Sequence, residues 1–132
     1  MPELAGISHI DLTVTDVDRS ERFYTEVLGF EVVKRVDKTD FRLADMRHPG
    51  LGNEVCVRQP TDGDGAPFDE FCTGLDHLSF RVANQAELER WQQHLDRHGV
   101  KYTPIVETSY GAVLVFRDPD DIQLELMAEA GT

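Results

Sequence analysis

The chain has few cysteines, few basic residues and no long apolar stretch, and each scarcity excludes a class of protein. Two cysteines, Cys56 and Cys72, are too few for a disulfide scaffold and lack metal-finger spacing, so we expect reduced thiols. Lysine and arginine number 13 against 25 acidic residues, and the net charge of -12 disfavours nucleic acid or an anionic membrane as a partner. No stretch approaches the roughly 18 apolar residues of a membrane span.

Proline, glycine and targeting signals are scarce as well. The 132 residues include 6 prolines and 10 glycines, and 40% are apolar, which is the composition of a folded domain and not of a disordered or collagen-like chain. Residues 1–6 lack a basic segment followed by an apolar one, so we expect no secretory signal and a cytoplasmic protein. The length suits one domain spanning residues 1–132.

An internal repeat organises the sequence. Residues 7–16 match residues 75–84 position by position, with His9 aligned to His77 and apolar positions aligned to apolar positions. Further matches are Phe23 with Trp91, Val27 with Leu95, Gly29 with Gly99, and 47–49 with 117–119. We therefore expect two modules built on one plan.

Each half is predicted to fold as βαβββ. Period-two alternation of apolar and polar residues over 7–14 and 75–82 predicts the first strand of each half. Asp16 and Asn84 are candidate N-caps of the two helices. The helices are predicted at 17–28 and 85–98, and the remaining strands at 30–36, 41–46, 54–58, 100–106, 112–117 and 122–127. The predicted class is α+β, with two tandem βαβββ modules (about 5–60 and 74–128, linker about 61–73) that form a curved mixed sheet around a cleft.

Strand alternation collects polar side chains on one face of each predicted strand. Alternate residues share a face, which places His9 with Asp11 and His77 with Arg81. The polar faces of the other strands carry Glu54, Cys56, Arg58 and Glu125. Imidazoles and carboxylates that meet in one cleft predict a divalent metal site. Taken alone, Cys56 is more simply a small buried residue.

Several motifs, spread over nearly the whole chain, resemble those of one known family. They are HIDLTV at 9–14, RSERFY at 19–24, VLGF at 27–30, DHLSFRV at 76–82, FRDPD at 116–120 and LEL at 124–126. They resemble the vicinal oxygen chelate superfamily, which contains glyoxalase I, methylmalonyl-CoA epimerase, extradiol dioxygenases, fosfomycin-resistance enzymes and bleomycin-resistance proteins. The resemblance implies that His9, His77 and Glu125 bind a divalent metal, and that the chain forms a homodimer.

One position departs from the isomerase-like members of that family, which place a metal-binding glutamate on the fourth strand of the first half. Alignment from Pro60 puts Cys56 at this position, whereas extension of the internal repeat puts Glu54 there. We favour Cys56. Two histidines and one glutamate then resemble the facial triad of oxygen-activating Fe(II) enzymes, and Fe, Mn, Zn and Ni are all candidate ions.

The resemblance implies a metal-dependent enzyme whose small, oxygen-rich substrate chelates the metal, in a dioxygenase-like or a lyase/isomerase-like reaction. Beside Glu125, the candidate catalytic groups are a base from Glu54 or Asp11 and an acid from Tyr110 or Tyr102. Candidate substrate contacts are Asp11, Cys56, Arg58 and Arg81. The alternative is a metal-free drug-binding protein of the bleomycin-resistance type, but such members have generally lost the three ligands that this chain retains.

Overall fold

The computed structural model describes residues 1–131 of the chain. Its internal contacts divide the chain into two compact units, one comprising Met1–Ala66 and the other beginning at Pro67. The division falls inside the stretch that the sequence predicts as a linker. No helix within residues 1–131 is long and apolar enough to cross a membrane.

The first unit contains a four-stranded mixed sheet and one helix. Its elements are β1 (His9–Thr13), α1 (Val17–Glu26), β2 (Glu31–Asp37), β3 (Phe41–Arg47) and β4 (Glu54–Pro60). The strand order is β1-β4-β3-β2. Strand β1 runs parallel to β4, because α1 carries the chain across the sheet, and the other two pairs are antiparallel.

The second unit repeats this topology. Its elements are β5 (Leu78–Arg81), α2 (Gln85–Arg97), β6 (Val106–Thr108), β7 (Gly111–Arg117) and β8 (Gln123–Glu129). The order is β5-β8-β7-β6, with β5 parallel to β8 and the other pairs antiparallel. The predicted α+β class, with two tandem βαβββ modules and mixed sheets, is confirmed.

Local signals begin and end the two helices where the sequence predicts, to within two residues. The Asp16 carboxylate accepts a hydrogen bond from the Arg19 N–H at 3.1 Å, and the Asn84 side chain accepts one from the Glu87 N–H at 3.0 Å, which confirms both N-caps. After the helices, Gly29 and Gly99 adopt left-handed backbone conformations, with φ of 81° and 66°.

One face of each sheet packs against its helix and forms the core of the unit. Val55 and Val57 of β4 and Tyr24 of α1 are fully buried in the first unit, as are Leu124 of β8 and Leu88 of α2 in the second. Complete burial of an aliphatic side chain of this size contributes about 1.5–3 kcal/mol to folding. The polar residues that alternate with these core positions therefore lie on the opposite face of each sheet.

The prediction of a strand at residues 100–106 is wrong. In the structure the regular strand β6 begins only at Val106, and Tyr102 forms a single isolated bridge with Phe116. Thr103 donates its N–H to the Val115 carbonyl at 2.9 Å, but Pro104 has no N–H with which to continue a ladder. The segment before Val106 therefore forms one isolated bridge without becoming a regular strand.

Candidate functional site

A row of three polar side chains crosses the open face of the first sheet. The register places Asp11 of β1 opposite Cys56 of β4, and Cys56 opposite Asp45 of β3. The Cys56 thiol donates a hydrogen bond to Asp45 Oδ1, with an Sγ to Oδ1 distance of 3.0 Å. The thiol therefore lies between two carboxylates.

Cys56 is a protonated hydrogen-bond donor in this row. Burial raises the pKa of the thiol far above its ordinary value, and its hydrogen bonds with Asp45 and Asp11 raise it further. A thiolate between two carboxylates would add like charge, so the proton stays on sulfur at neutral pH. Because the thiolate is the nucleophilic and metal-binding form of cysteine, this environment disfavours both roles for Cys56.

Glu54 lies next to this row and shares a hydrogen bond with Asp45. The register pairs Glu54 with His9 of β1. The hydrogen bond with Asp45 and the like charge of that carboxyl raise the pKa of Glu54, while His9 opposes the shift. Glu54 thus keeps its proton to a higher pH than an isolated glutamate does.

The sequence analysis did not name Asp45 as a site residue. A signal was present, because Asp45 stands between Ala44 and Met46, which are both buried, in a predicted strand. Alternation alone places Asp45 on the polar face, but only the β3–β4 register shows that it meets Cys56 and Glu54.

Asp11 and Arg58, two of the predicted substrate contacts, bind each other. Arg58 Nε lies 3.2 Å from Asp11 Oδ2, and the same guanidinium lies over the Phe41 ring at 4.3 Å from its centroid. The ion pair compensates the charge of Asp11, which makes Glu54 the better placed of the two candidate bases.

The second sheet carries Glu125 at the centre of its corresponding row. Glu125 of β8 lies opposite Ser79 of β5 and opposite Val115 of β7. The Ser79 hydroxyl donates to Glu125 Oε1 at 2.9 Å. One carboxylate oxygen is thus fixed by a neutral donor, with no second carboxylate in the row.

Both candidate metal-binding histidines use Nδ1 to contact the preceding residue. His77 Nδ1 lies 2.7 Å from Asp76 Oδ1, and His9 Nδ1 lies 3.0 Å from Ser8 Oγ. A carboxylate only accepts, so the contact of His77 with Asp76 places the proton on Nδ1 and leaves Nε2 for coordination, in the manner of histidines that ligate metals. The Ser8 hydroxyl can donate or accept, so its contact engages Nδ1 of His9 without fixing the tautomer. Two imidazole Nε2 atoms and the Glu125 carboxylate are donors that suit Fe, Mn, Zn or Ni.

The three candidate ligands come from both units, His9 from the first and His77 with Glu125 from the second. Within residues 1–131, no group of three or more histidine, cysteine, aspartate or glutamate side chains is arranged to hold a metal ion. The assignment of these ligands therefore rests on the donor chemistry within each unit and stays a prediction.

The register distinguishes Cys56 from Glu54 as the counterpart of Glu125. Cys56 lies opposite Asp11, and Glu125 lies opposite Ser79, the residue aligned with Asp11 in the repeat. Glu54 lies two residue pairs earlier, opposite His9. By register, Cys56 therefore occupies the position equivalent to Glu125.

The two candidate acids, Tyr110 and Tyr102, lie outside the row that contains Glu125. Tyr110 is 61% exposed in the turn between β6 and β7, at the end of β7 where Gly111 pairs with Glu129. The Tyr102 hydroxyl donates to Asp96 of α2 at 3.1 Å, and its pKa is raised by burial and then by this bond.

Arg81, the remaining predicted substrate contact, is held at the far end of its sheet. Its guanidinium forms an ion pair with Glu129 at 3.0 Å, and both side chains are largely exposed. Arg81 pairs with Met127 in the register, one alternation beyond Glu125. Arg81 thus lies two residue pairs from Glu125 along the sheet, and its guanidinium is already bound to a carboxylate.

Comparison with known proteins identifies relatives over most of the chain. Residues 6–126 match the family described as the Glyoxalase/Bleomycin resistance protein/Dioxygenase superfamily. The crystal structure of a glyoxylase/bleomycin resistance protein/dioxygenase domain from Frankia sp. EAN1pec is 38% identical, covers 96% of this chain and 99% of that one, and has a TM-score of 0.89.

Two relatives of named activity belong to different reaction types. Lactoylglutathione lyase of Escherichia coli O157:H7 is 28% identical over 92% of this chain and 90% of its own length. Catechol-2,3-dioxygenase of Bacillus subtilis strain 168 is 26% identical over 93% of this chain. The chain spans only 41% of the length of that dioxygenase.

Proposed function

Because the chain belongs to the Glyoxalase/Bleomycin resistance protein/Dioxygenase superfamily, we propose that it is a metal-dependent enzyme with His9, His77 and Glu125 as ligands of one divalent ion per chain. The observation that carries this proposal is the contact of His77 Nδ1 with the Asp76 carboxylate, which reserves Nε2 of His77 for coordination. His9 also uses Nδ1 for a neighbouring side chain, the Ser8 hydroxyl. A small substrate would chelate the metal through two neighbouring oxygens, and the metal would stabilise the negative charge that develops on them.

We favour a dioxygenase-like reaction on an oxygen-rich aromatic substrate, because Cys56 stands where the isomerase-like members have a glutamate. A thiol whose pKa is raised by burial and by two carboxylates keeps its proton. Such a residue leaves a metal with three protein ligands and open positions for substrate and dioxygen. The relation to catechol-2,3-dioxygenase agrees with this choice.

A lyase/isomerase-like reaction is the second candidate, and the contact between Glu54 and Asp45 favours it. Two carboxyls that share a hydrogen bond suit such a reaction, because the raised pKa of Glu54 lets this group take a proton from carbon and return it. In this reaction Glu54 holds the proton, Asp45 sets the pKa at which Glu54 releases it, and the Cys56 thiol donates a hydrogen bond to Asp45. The relation to lactoylglutathione lyase agrees with this candidate.

Metal content tests the proposal directly. Inductively coupled plasma mass spectrometry of the purified protein should find about one divalent ion per chain, whereas a triple variant, His9→Ala/His77→Ala/Glu125→Ala, should hold none and keep its circular dichroism. His94→Ala, on the surface helix α2, is the matched control and should keep the metal. Undiminished metal in the triple variant would sink the ligand assignment.

Turnover assays then separate the reaction types. Oxygen uptake with a panel of catechols tests the dioxygenase-like reaction, and loss of a hemithioacetal of an α-ketoaldehyde tests the lyase-like one. A protein that holds no metal, is inactive in both assays and binds an aromatic drug would establish the metal-free resistance alternative instead.

We also propose that the enzyme is a homodimer. Each four-stranded sheet has outer strands, β1 and β2 in the first unit and β5 and β6 in the second. Pairing of chains is a common way to cover such edges. Sedimentation at tens of micromolar should give the dimer mass, and a monomer at that concentration would contradict the proposal.

A further inference from the structure

A continuous chain of hydrogen bonds leads from Glu70, in the loop before β5, to the imidazole of His77. The Glu70 carboxylate binds Arg117 through Oε1 and Oε2 at 2.8 and 3.1 Å, and Arg117 donates to Gln123 Oε1 at 3.0 Å. Gln123 donates its Nε2 to Asp76 Oδ1 at 2.8 Å, and Asp76 Oδ1 lies 2.7 Å from His77 Nδ1. All five side chains belong to the second unit.

The bonds in this chain have a fixed direction. Arg117 has only donors, so the amide oxygen of Gln123 must face it, and the amide N–H groups must then face Asp76. An ionised Asp76 has only acceptors, so its contact with His77 requires the proton on Nδ1. The order of donors and acceptors therefore specifies one neutral tautomer of His77, the one with unprotonated Nε2.

The side chains at the Glu70 end of this chain of hydrogen bonds are less exposed to solvent than those at the imidazole. The Arg117 and Glu70 side chains are 33% and 22% exposed, whereas His77 and Asp76 are 42% and 60% exposed. A lone exposed contact between Asp76 and His77 would exchange freely with water. Anchoring Asp76 through Gln123 to a half-buried ion pair limits that exchange.

We propose that Asp76, Gln123, Arg117 and Glu70 are positioning residues that hold His77 in the Nδ1–H tautomer and keep Nε2 ready to bind a metal. This inference rests on the proposed function for its purpose, since it assumes that His77 is a ligand. The tautomer itself is a property of the metal-free protein, and it can be measured whether or not the proposed metal binds.

Nitrogen NMR of the metal-free protein tests the proposal. Long-range ¹H–¹⁵N correlation spectra, recorded at a pH where imidazoles are neutral, report the tautomer, and the His77 signals are identified by their loss in His77→Gln. The protein should show mainly the Nδ1–H form. Asp76→Ala should shift His77 toward the Nε2–H form usual for a free imidazole, Gln123→Leu should shift it by a smaller fraction, and Glu70→Gln by the least. Gln93→Leu, an exposed glutamine of α2, is the matched control and should change nothing.

Metal affinity supplies the second readout. Loss of a partner that orients a ligating histidine typically costs 10- to 100-fold in affinity, which we expect for Asp76→Ala, with about 3- to 10-fold for Gln123→Leu. Ser8→Ala, which removes the Nδ1 partner of His9, should leave the His77 tautomer unchanged.

The outcomes separate this inference from the proposed function. A wild-type tautomer in both Gln123→Leu and Glu70→Gln would overturn the chain beyond Asp76, and a wild-type tautomer in Asp76→Ala would overturn it altogether. A shifted tautomer with unchanged metal affinity would support the positioning of His77 and contradict its role as a ligand. Glu70→Gln is the mildest change, and it keeps the test decisive if Gln123→Leu fails to fold.

Discussion

The two units have the same topology but opposite charge arrangements in corresponding rows of their sheets. In the first unit a neutral thiol, Cys56, lies between two carboxylates. In the second a carboxylate, Glu125, lies between Ser79 and Val115. The comparison shows that the flanking strands decide what the central position tolerates. A glutamate in place of Cys56 would face Asp11 and Asp45 at hydrogen-bonding distance, whereas Glu125 faces only neutral groups.

Cys56→Glu is the substitution that tests this comparison most severely. It places a third carboxylate between Asp11 and Asp45, so we expect the metal-free protein to lose about 2–4 kcal/mol of stability, as for other uncompensated buried charges. Added divalent metal should recover much of that loss, since the new carboxylate rebuilds the four-ligand set of the isomerase-like members. Urea unfolding with and without metal measures both effects.

The activity of the Cys56 variants separates the two candidate reactions. In a dioxygenase-like enzyme, Cys56→Glu should bind metal more tightly yet suppress turnover, because the added ligand occupies a position needed by substrate or dioxygen. Cys56→Ser keeps a hydrogen-bond donor for Asp45 and should keep most of the activity. Loss of activity in Cys56→Ser with metal retained would instead indicate a direct role for the thiol.

Glu54→Gln tests the carboxyl pair that Glu54 forms with Asp45 in the first unit. In a lyase/isomerase-like enzyme it removes the group that carries the proton, and turnover should fall by about 10²- to 10⁴-fold. In a dioxygenase-like enzyme the change should be less than about tenfold, with metal content unaltered. Glu107→Gln, on the exposed strand β6, is the control, and steady-state kinetics of both variants give the answer.

The sequence predicts most of the fold because its signals are local. The N-caps Asp16 and Asn84 act within one helical turn, and period-two alternation assigns each strand residue to a face without reference to its neighbours. The segment 100–106 shows the limit of such signals, because its extended residues have a strand-like pattern but Pro104 interrupts the ladder.

The candidate site is less predictable because its contacts depend on register between strands distant in sequence. His9, Glu54 and Cys56 could be named from their faces, but the contact of Cys56 with Asp45 requires the pairing of β3 with β4. The link from Glu70 to Gln123 through Arg117 was also missed. This link joins a loop to two strands, and no periodic pattern in the sequence predicts such a contact.

Acid unfolding sharpens the comparison, because carboxylates in the two units respond to their neighbours in opposite directions. Asp45 raises the pKa of Glu54 in the first unit, whereas Arg117 lowers the pKa of Glu70 in the second from its ordinary value of 4.5 to about 2. A carboxyl with a lowered pKa favours the folded state when ionised. Its contribution is complete above pH 4.5 and is lost as the pH falls to about 2.

Glu70→Gln should therefore lower the urea midpoint of unfolding at pH 6–7 and lower it less at each step below pH 4.5, until the variant and the wild type converge near pH 2. Because the pair is only half-buried, water screens part of the attraction, so we expect a smaller loss of stability than in Cys56→Glu. Glu107→Gln, whose carboxyl is exposed on β6, should run parallel to the wild type over the same range. A Glu70→Gln curve that also stays parallel would show that Arg117 does not hold Glu70 in the folded protein, and would remove the anchor from the chain of bonds that ends at His77.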